Sequence, residues 1–228
     1  MLFLPILVPV AFWAIYHYHK DRHRPEPLGN LLLCFLLGIG ASFISQAMYQ
    51  AAGIIGIRYD AFMLADSSLA GLFAYAVLVI GGIEETAKFI PFVVVALRLK
   101  AFDEKMDGII YASFIALGYA AAENYSYLEF LDDRDAVLRG FASPLVHIMF
   151  SSTWGYMVGK AYLAGRPLVL LSYLAVTVSA LLHGLYDFVV LAFPEALPVS
   201  ALLILSIWLW RMRVITRLQA QHHATQRE

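Results

Sequence analysis

Seven side chains stand out in this sequence because their types suit acid–base or metal chemistry and their surroundings do not suit them. Glu84, Glu85 and Lys88 lie in GGIEETAKF, inside a stretch from Leu69 to Leu97 that is otherwise almost wholly apolar. Glu123 lies in GYAAAENYSY, His147 in SPLVHIMFSS, and His183 with Asp187 in LLHGLYDF. An ionised residue at the centre of a membrane helix costs roughly 2.5–3.5 kcal/mol on insertion scales. A chain that keeps several such groups must face them into a wet or mutually paired interior, and that interior is a candidate site.

Helical spacing says which of them can meet. Lys88 is four residues from Glu84 and three from Glu85, so it reaches either carboxylate on one face. The two glutamates are splayed by about 100°, so one can point at a reaction centre while the other braces a neighbouring helix. His183 and Asp187 are also four apart, which lets the carboxylate hold the imidazole tautomer. Gly81, Gly82 and Gly184 permit close helix approach beside these groups. Carboxylates and imidazoles at a shared site bind a divalent metal. They also serve as general base and oxyanion donors, and a proton or ion pathway uses the same types.

The elements that must position these groups are membrane helices. Of 228 residues, 61% are hydrophobic and 14% charged, with mean hydropathy +0.71; soluble domains carry about 45–50% apolar and about 25% charged residues. The expected fold is an all-α polytopic membrane helix bundle forming a single domain over residues 1–228. Its polar core covers about 81–187, and a polar C-terminal tail covers 211–228. Continuous apolar runs exclude a β-barrel. A net charge of −1 gives no reason to expect a nucleic-acid partner, and the single cysteine, Cys34, allows no intrachain disulfide.

Seven transmembrane spans are expected: Leu2–Tyr16, Leu28–Ala52, Leu69–Leu97, Gly108–Leu128, Phe141–Leu163, Leu168–Phe193 and a short Pro198–Trp210. The first, with no charged leader and no small-residue cleavage site, reads as a retained anchor. Residues 53–68 read as a loop or a short interfacial helix. The polar stretch YHYHKDRHR, with His17, His19 and His23, reads as a solvated loop, and His222 and His223 as part of a disordered tail. Lys20, Arg22, Arg24, Arg98, Lys100, Lys105, Lys160, Arg166, Arg211, Arg213, Arg217 and Arg227 fall on one side of this topology. Arg58, Arg134 and Arg139 fall on the other. The positive-inside rule then places the N-terminus outside and the C-terminus in the cytoplasm. With that orientation Glu123, His147, His183 and Asp187 all lie in the outer half of the bilayer. Glu84 and Glu85 form the floor of a cavity entered from the extracytoplasmic side.

From Gly81 to Asp187 the sequence resembles the PrsW family of intramembrane proteases, distant relatives of the CAAX-prenyl endopeptidase and bacteriocin-processing membrane proteins. The family's EExxK motif matches Glu84, Glu85 and Lys88. Its aromatic-xxx-Glu motif matches Tyr119 and Glu123 with Gly118, Ala120 and Asn124 around them. A lone histidine early in the next span matches His147, and His-xxx-Asp/Asn matches His183 and Asp187. Glu123 and Lys88 favour this branch over the CAAX-type relatives, which carry His and Arg there. The resemblance implies an intramembrane endopeptidase acting on a membrane-anchored protein of the anti-sigma-factor kind, in the cytoplasmic membrane of a bacterium or archaeon. It implies Glu84 or Glu85 as the group that activates water, and Lys88 as the group that neutralises and positions them. It also implies that Asp187 orients His183. A divalent metal, zinc first among the candidates, would draw ligands from Glu85, Glu123, His147 and His183. Tyr119 and Asn124 are expected to be packing residues. The competing readings are an ion-coupled transporter, disfavoured by the lack of inverted repeats, and a non-catalytic membrane receptor or scaffold.

Overall fold

A computed structural model describes residues 3–21 and 24–225, and within these every regular element is helical. Arg22, His23 and Arg227, used above for topology or as possible ligands, lie outside the described residues, as do the side chains of His222 and His223. The helices are α1 (Leu4–Lys20), α2 (Leu28–Ile54), α3 (Ala61–Ser67), α4 (Leu69–Tyr75), α5 (Gly82–Val94), α6 (Lys105–Tyr127), α7 (Asp133–Leu163), α8 (Val169–Ala192) and α9 (Leu197–Thr225). A π-helical turn, Ala76–Gly81, joins α4 to α5.

Local chemistry sets most boundaries. The Asp60 carboxylate accepts from the backbone N–H of Phe62 and Met63 to start α3, and the Ser68 hydroxyl accepts from Gly71 to start α4. Glu104 and Asp107 form a reciprocal capping box at α6, and Asp132 caps α7. Stretch 53–68 therefore contains a capped short helix.

Three helical stretches are long and apolar enough to cross a membrane: Leu28–Ile54, Val169–Ala192 and Pro194–Gln221. Large apolar side chains stand exposed along them, among them Leu32, Leu36 and Phe43 on α2, Leu170 and Tyr173 on α8, and Leu202 and Leu205 on α9. In water such patches would drive association; lipid is their natural solvent.

α6 lies at the centre, packed on α7 and α2. Its approach to α2 is a backbone contact: a Cβ on Gly38 would sit 2.0 Å from the Ile115 carbonyl oxygen, and one on Gly118 1.9 Å from that of Phe35. Apolar packing closes the interior in two clusters. One gathers Phe92, Phe102, Tyr111 and Trp154. The other gathers Trp13, Leu117, Phe150 and Ile204. Lys105, Lys160 and Arg166 line one hollow, and Lys20 and Arg24 line another with Glu104 and Gln219. These residues mark a basic end of the bundle; α3 and the α6–α7 connection mark the opposite end.

Several expectations need correction. The stretch Leu69–Leu97 is helical without a break to Val94, but it carries a π-turn within it and ends in a 3₁₀ turn. α7 begins at Asp133 rather than Phe141, since Asp132 supplies a cap, and Arg134 and Arg139 are therefore helical. α9 is 29 residues long and continues to Thr225, so the last span is not short and the tail from Arg211 is helical through Thr225. Arg211 is not a solvated tail charge: it is fully buried. His17 is likewise helical and buried, not part of a solvated loop, and its ring accepts from Arg211 Nη2 at 3.0 Å.

Candidate active site

The π-turn precedes the glutamates directly, and π-bulges recur at functional sites. Here it brings backbone against backbone. A Cβ on Gly81 would lie 2.4 Å from the Ala180 carbonyl oxygen, and one on Gly184 2.4 Å from the Val77 Cα. Only glycines allow α8 so close to the start of α5. The contact places His183, next to Gly184, beside Glu85, four residues after Gly81.

Glu85 and Lys88 are completely buried. The Lys88 ammonium donates to Glu85 Oε1 at 2.5 Å and to His147 Nδ1 at 3.0 Å, and it stands 4.9 Å from the centre of the Tyr119 ring. Glu85 Oε1 also pairs with His183 Nδ1 at 2.8 Å. Its Oε2 accepts from Trp154 Nε1 at 2.9 Å and from the Ser151 hydroxyl at 3.4 Å. Both oxygens of Glu85 are thus occupied by protein donors, as a buried carboxylate requires.

Glu84 is different. Its Oε1 accepts from the Tyr49 hydroxyl at 3.2 Å, but its Oε2 is buried and has no hydrogen-bond partner among the described residues. That oxygen lies 3.7 Å from His183 Nε2 and 4.0 Å from His147 Nδ1. Glu84, His147 and His183 each offer one ligand atom, all within 4.8 Å of one another. The two imidazoles meet edge to face, 5.2 Å between centres, with Phe150 stacked on His183.

Each imidazole has a carboxylate behind it. Glu123 Oε2 sits 2.8 Å from His147 Nε2, and Glu123 is itself paired with Arg139 at 3.3 Å. Arg139 stacks on Tyr127, 3.8 Å from the ring centre. Glu85 holds His183 Nδ1 in the same way. We assign the ring protons to the nitrogens facing those carboxylates, which leaves His147 Nδ1, the acceptor of the Lys88 ammonium, and His183 Nε2 as the lone-pair atoms on the side of Glu84. Asp187 Oδ2 flanks His183 Nε2 at 3.5 Å.

The structure therefore gathers all seven sequence-derived residues into one cluster. It also separates the glutamates, which helix phase alone could not do: Glu85 is turned to Lys88 and Trp154, Glu84 to the open centre. Of the expected ligands, His147 and His183 face that centre. Glu85 and Glu123 instead support the imidazoles from behind, and Glu84 takes the third corner. Tyr119 is more than packing, since its ring walls the lysine and its hydroxyl donates to Ser45 at 3.1 Å. Asn124 is buried, with no hydrogen-bond partner among the described residues.

Sequence reasoning missed Tyr49, Ser151, Trp154 and Arg139. One signal was available. Ser42, Ser45, Gln46 and Tyr49 recur at i, i+3, i+4 and i+7 in an otherwise apolar helix, which is the spacing of a single polar face. That face lines a cleft of about 530 Å³ with Tyr59, Tyr75, Glu84, Tyr119, Glu123 and Tyr127. The cleft opens toward the end that carries α3, opposite the basic end.

The sequence model described as "PrsW family intramembrane metalloprotease" matches residues 26–212. The chain belongs to the PrsW family. It is 31% identical to "Protease PrsW" of Clostridioides difficile (strain 630), over 93% of this chain and 88% of that protein. Protease PrsW of Geobacillus kaustophilus (strain HTA426) is 29% identical over 88% of this chain and 84% of its own. That of Bacillus subtilis (strain 168) is 30% identical over 78% and 77%. No solved structure matches. The PrsW-matched region contains every residue of the cluster and the polar face of α2. The chain is accordingly an enzyme of the intramembrane protease class.

A metalloprotease family implies a metal, and the residues present fit one. Two imidazoles and a carboxylate are a common donor set for catalytic zinc, which keeps a further position open for water. Each imidazole is oriented by a carboxylate on its other nitrogen, the usual outer-shell arrangement for a metal-bound histidine. The buried, unpartnered Glu84 Oε2 supplies the acceptor that such a cation would satisfy.

Proposed function

We propose that this chain hydrolyses a peptide bond in a membrane-anchored protein, at the centre framed by Glu84, His147 and His183. One observation carries the reading: a single buried carboxylate oxygen is left unpartnered between two oriented imidazoles, at the inner end of an open polar cleft. His147 Nδ1, once released by the Lys88 ammonium, and His183 Nε2 would hold a divalent ion, zinc by donor chemistry, with Glu84 beside it as the base. When bound, it would polarise the scissile carbonyl and lower the pKa of water.

The chain's own groups do the rest. Glu84 Oε2 takes the proton of a water placed between it and the imidazoles, and the Tyr49 hydroxyl fixes the carboxylate by its other oxygen. Glu85 and Glu123 hold the two imidazoles in the required tautomer. Lys88 compensates the buried charge of Glu85. Glu84 then returns the proton it took from water to the departing amine, while Asp187 steadies the His183 ring from 3.5 Å. The apolar wall of Phe150 and the depth of the cluster keep bulk water away from all but the cleft.

Seven spans, with the N-terminus outside, place the cleft on the extracytoplasmic side. The gathering of Lys20, Arg24, Lys105, Lys160 and Arg166 at the end away from the cleft supports that orientation. A substrate of the anti-sigma-factor kind, a single-span protein cut on its outer side, fits this geometry.

The test is cleavage of a transmembrane model substrate by the purified protein. Wild type cuts it, while Glu84→Gln and the His147→Ala/His183→Ala double variant do not. A Glu84→Gln protein that retains wild-type kcat contradicts the assignment.

A further inference from the structure

A spanning helix keeps its backbone satisfied internally, and every N–H or C=O exposed to hydrocarbon costs several kcal/mol. A peptide bond within such a helix is reachable only after a turn has unwound. An enzyme that cuts there must therefore offer donors and acceptors to the opened backbone, next to its catalytic carboxylate. Most of the polar groups along the cleft are already engaged. The hydroxyls of Ser42 and Ser45 donate to the carbonyls of Ile39 and Ser42. Tyr119 donates to Ser45, and Tyr49 to Glu84. Gln46, on the same face of α2 as Tyr49, is not so engaged. It lines the cleft, is exposed, and its carboxamide has no hydrogen-bond partner among the described residues. It lies one helical turn from Tyr49, about 4.5 Å along the axis.

We infer that Gln46 is a substrate-binding residue that pairs with the backbone of an unwound segment of the substrate. Its amide N–H donates to a substrate carbonyl, and its carbonyl accepts from a substrate N–H. A carboxamide carries an N–H donor and a C=O acceptor in the arrangement of a peptide unit, so it can pair with backbone as a neighbouring strand would. On an otherwise apolar helix, a carboxamide facing an open cleft has no structural need to meet. The ligand class is an extended peptide segment, selected by its exposed backbone, so segments that unwind readily are preferred. The inference rests on the protease reading of the site.

Binding and cleavage are measured separately. The probe is a fluorescent leucine–alanine peptide of about 20 residues, long enough to span, with Gly-Ser-Gly at its centre. A control peptide keeps leucine there. Both are titrated onto full-length protein in lipid nanodiscs, in a Glu84→Gln background that does not consume them. Gln46→Leu is expected to weaken binding of the glycine-centred peptide roughly threefold to tenfold, the range of interhelical hydrogen bonds in membranes. Gln46→Asn recovers part of the loss, and the all-leucine peptide shows no dependence on residue 46. Equal affinity in parent and Gln46→Leu overturns the inference, as does an equal loss for both peptides or no binding by the parent. With Glu84 restored, cleavage that is unaffected by Gln46→Leu removes this inference and leaves the protease reading standing. Binding that depends on Gln46 without cleavage removes the protease reading and leaves the peptide site.

Discussion

Two clusters of buried charge sit on different faces of α7, and consecutive serines, about 100° apart, serve them. Ser151 donates to Glu85 in the glutamate–histidine cluster, whereas Ser152 accepts from Arg211 Nε at 3.0 Å. In the second cluster Arg211 is fully buried, and Nη2 reaches Ser113 at 3.2 Å and His17 at 3.0 Å. Its partners are all uncharged acceptors on α1, α6 and α7, which tie α9 to the bundle. The glutamate–histidine cluster mixes signs, backs each imidazole with a carboxylate and leaves an acceptor pointing into a shared centre beside a cleft. Buried charge alone therefore does not mark a site. What marks it is a buried carboxylate oxygen, without a partner among the described residues, set between two carboxylate-backed imidazoles beside a cleft.

The sharpest way to break this contrast is to disable each cluster in turn. Glu84→Gln is expected to lower kcat by about 10²–10⁴-fold, the usual contribution of a positioned base, without a fall in thermal stability. Arg211→Met is expected to leave kcat close to wild type. An Arg211 variant as inactive as Glu84→Gln would erase the distinction.

Stability should reverse the pattern within the glutamate–histidine cluster. Lys88→Met strands Glu85 beside His183 with its countercharge gone, and breaking a buried pair in this way costs roughly 3–5 kcal/mol. Arg211→Met leaves only hydroxyls and an imidazole short of a donor, at about 1–3 kcal/mol. Thermal unfolding in detergent ranks the two, and the reverse order would contradict the description of Arg211.

A smaller effect probes the contact that brings α8 to α5. Gly81→Ala forces a methyl group onto the Ala180 carbonyl and should destabilise by about 1–3 kcal/mol, with loss of activity as His183 shifts. At Gly82 the nearest atom to a new Cβ is the Val77 carbonyl oxygen at an ordinary 3.8 Å, so Gly82→Ala is expected to be neutral or slightly stabilising in a helix. Equal effects at both positions would show that the backbone contact is not what positions His183.

The smallest expected effect lies at the basic end. Asp21, in the connection between α1 and α2, is pushed up to about 7, chiefly by burial, although it accepts from the Glu26 backbone N–H at 3.0 Å. Glu26 is raised as well, again chiefly by burial. A carboxyl group raised on folding binds more protons folded than unfolded between about pH 4 and 7, so its contribution is complete in acid and is lost as pH rises through 7. Asp21→Asn should flatten that slope in a pH series of melting temperatures while leaving Glu84-dependent cleavage intact.

Much of this was legible in the sequence because an ionisable group in an apolar run is conspicuous. Glu84, Glu85, Lys88, Glu123, His147, His183 and Asp187 announced themselves, and they meet in one cluster. The division of labour between the adjacent glutamates was not legible. It depends on the π-turn that sets the phase of α5, and on Trp154, whose indole N–H fills the second oxygen of Glu85. Tyr49 and Gln46 were hidden because uncharged polar residues are common in membrane helices, and only their spacing sets them apart. Arg211 was misplaced by its neighbours: a basic residue near a polar tail reads as solvated until α9 is seen to continue past it. The helical run to Thr225 was missed for the same reason.

The central claim is that Glu84, His147 and His183 frame a metal-dependent peptidase centre. Metal content of the purified full-length protein tests it most directly, by elemental analysis of wild type alongside His147→Ala, His183→Ala and, as the control from the second cluster, His17→Ala. The account predicts about one divalent ion per chain, lost in the first two variants and kept in the third. Wild-type protein that cleaves a transmembrane substrate while carrying no metal, or metal that persists when both His147 and His183 are removed, would contradict it.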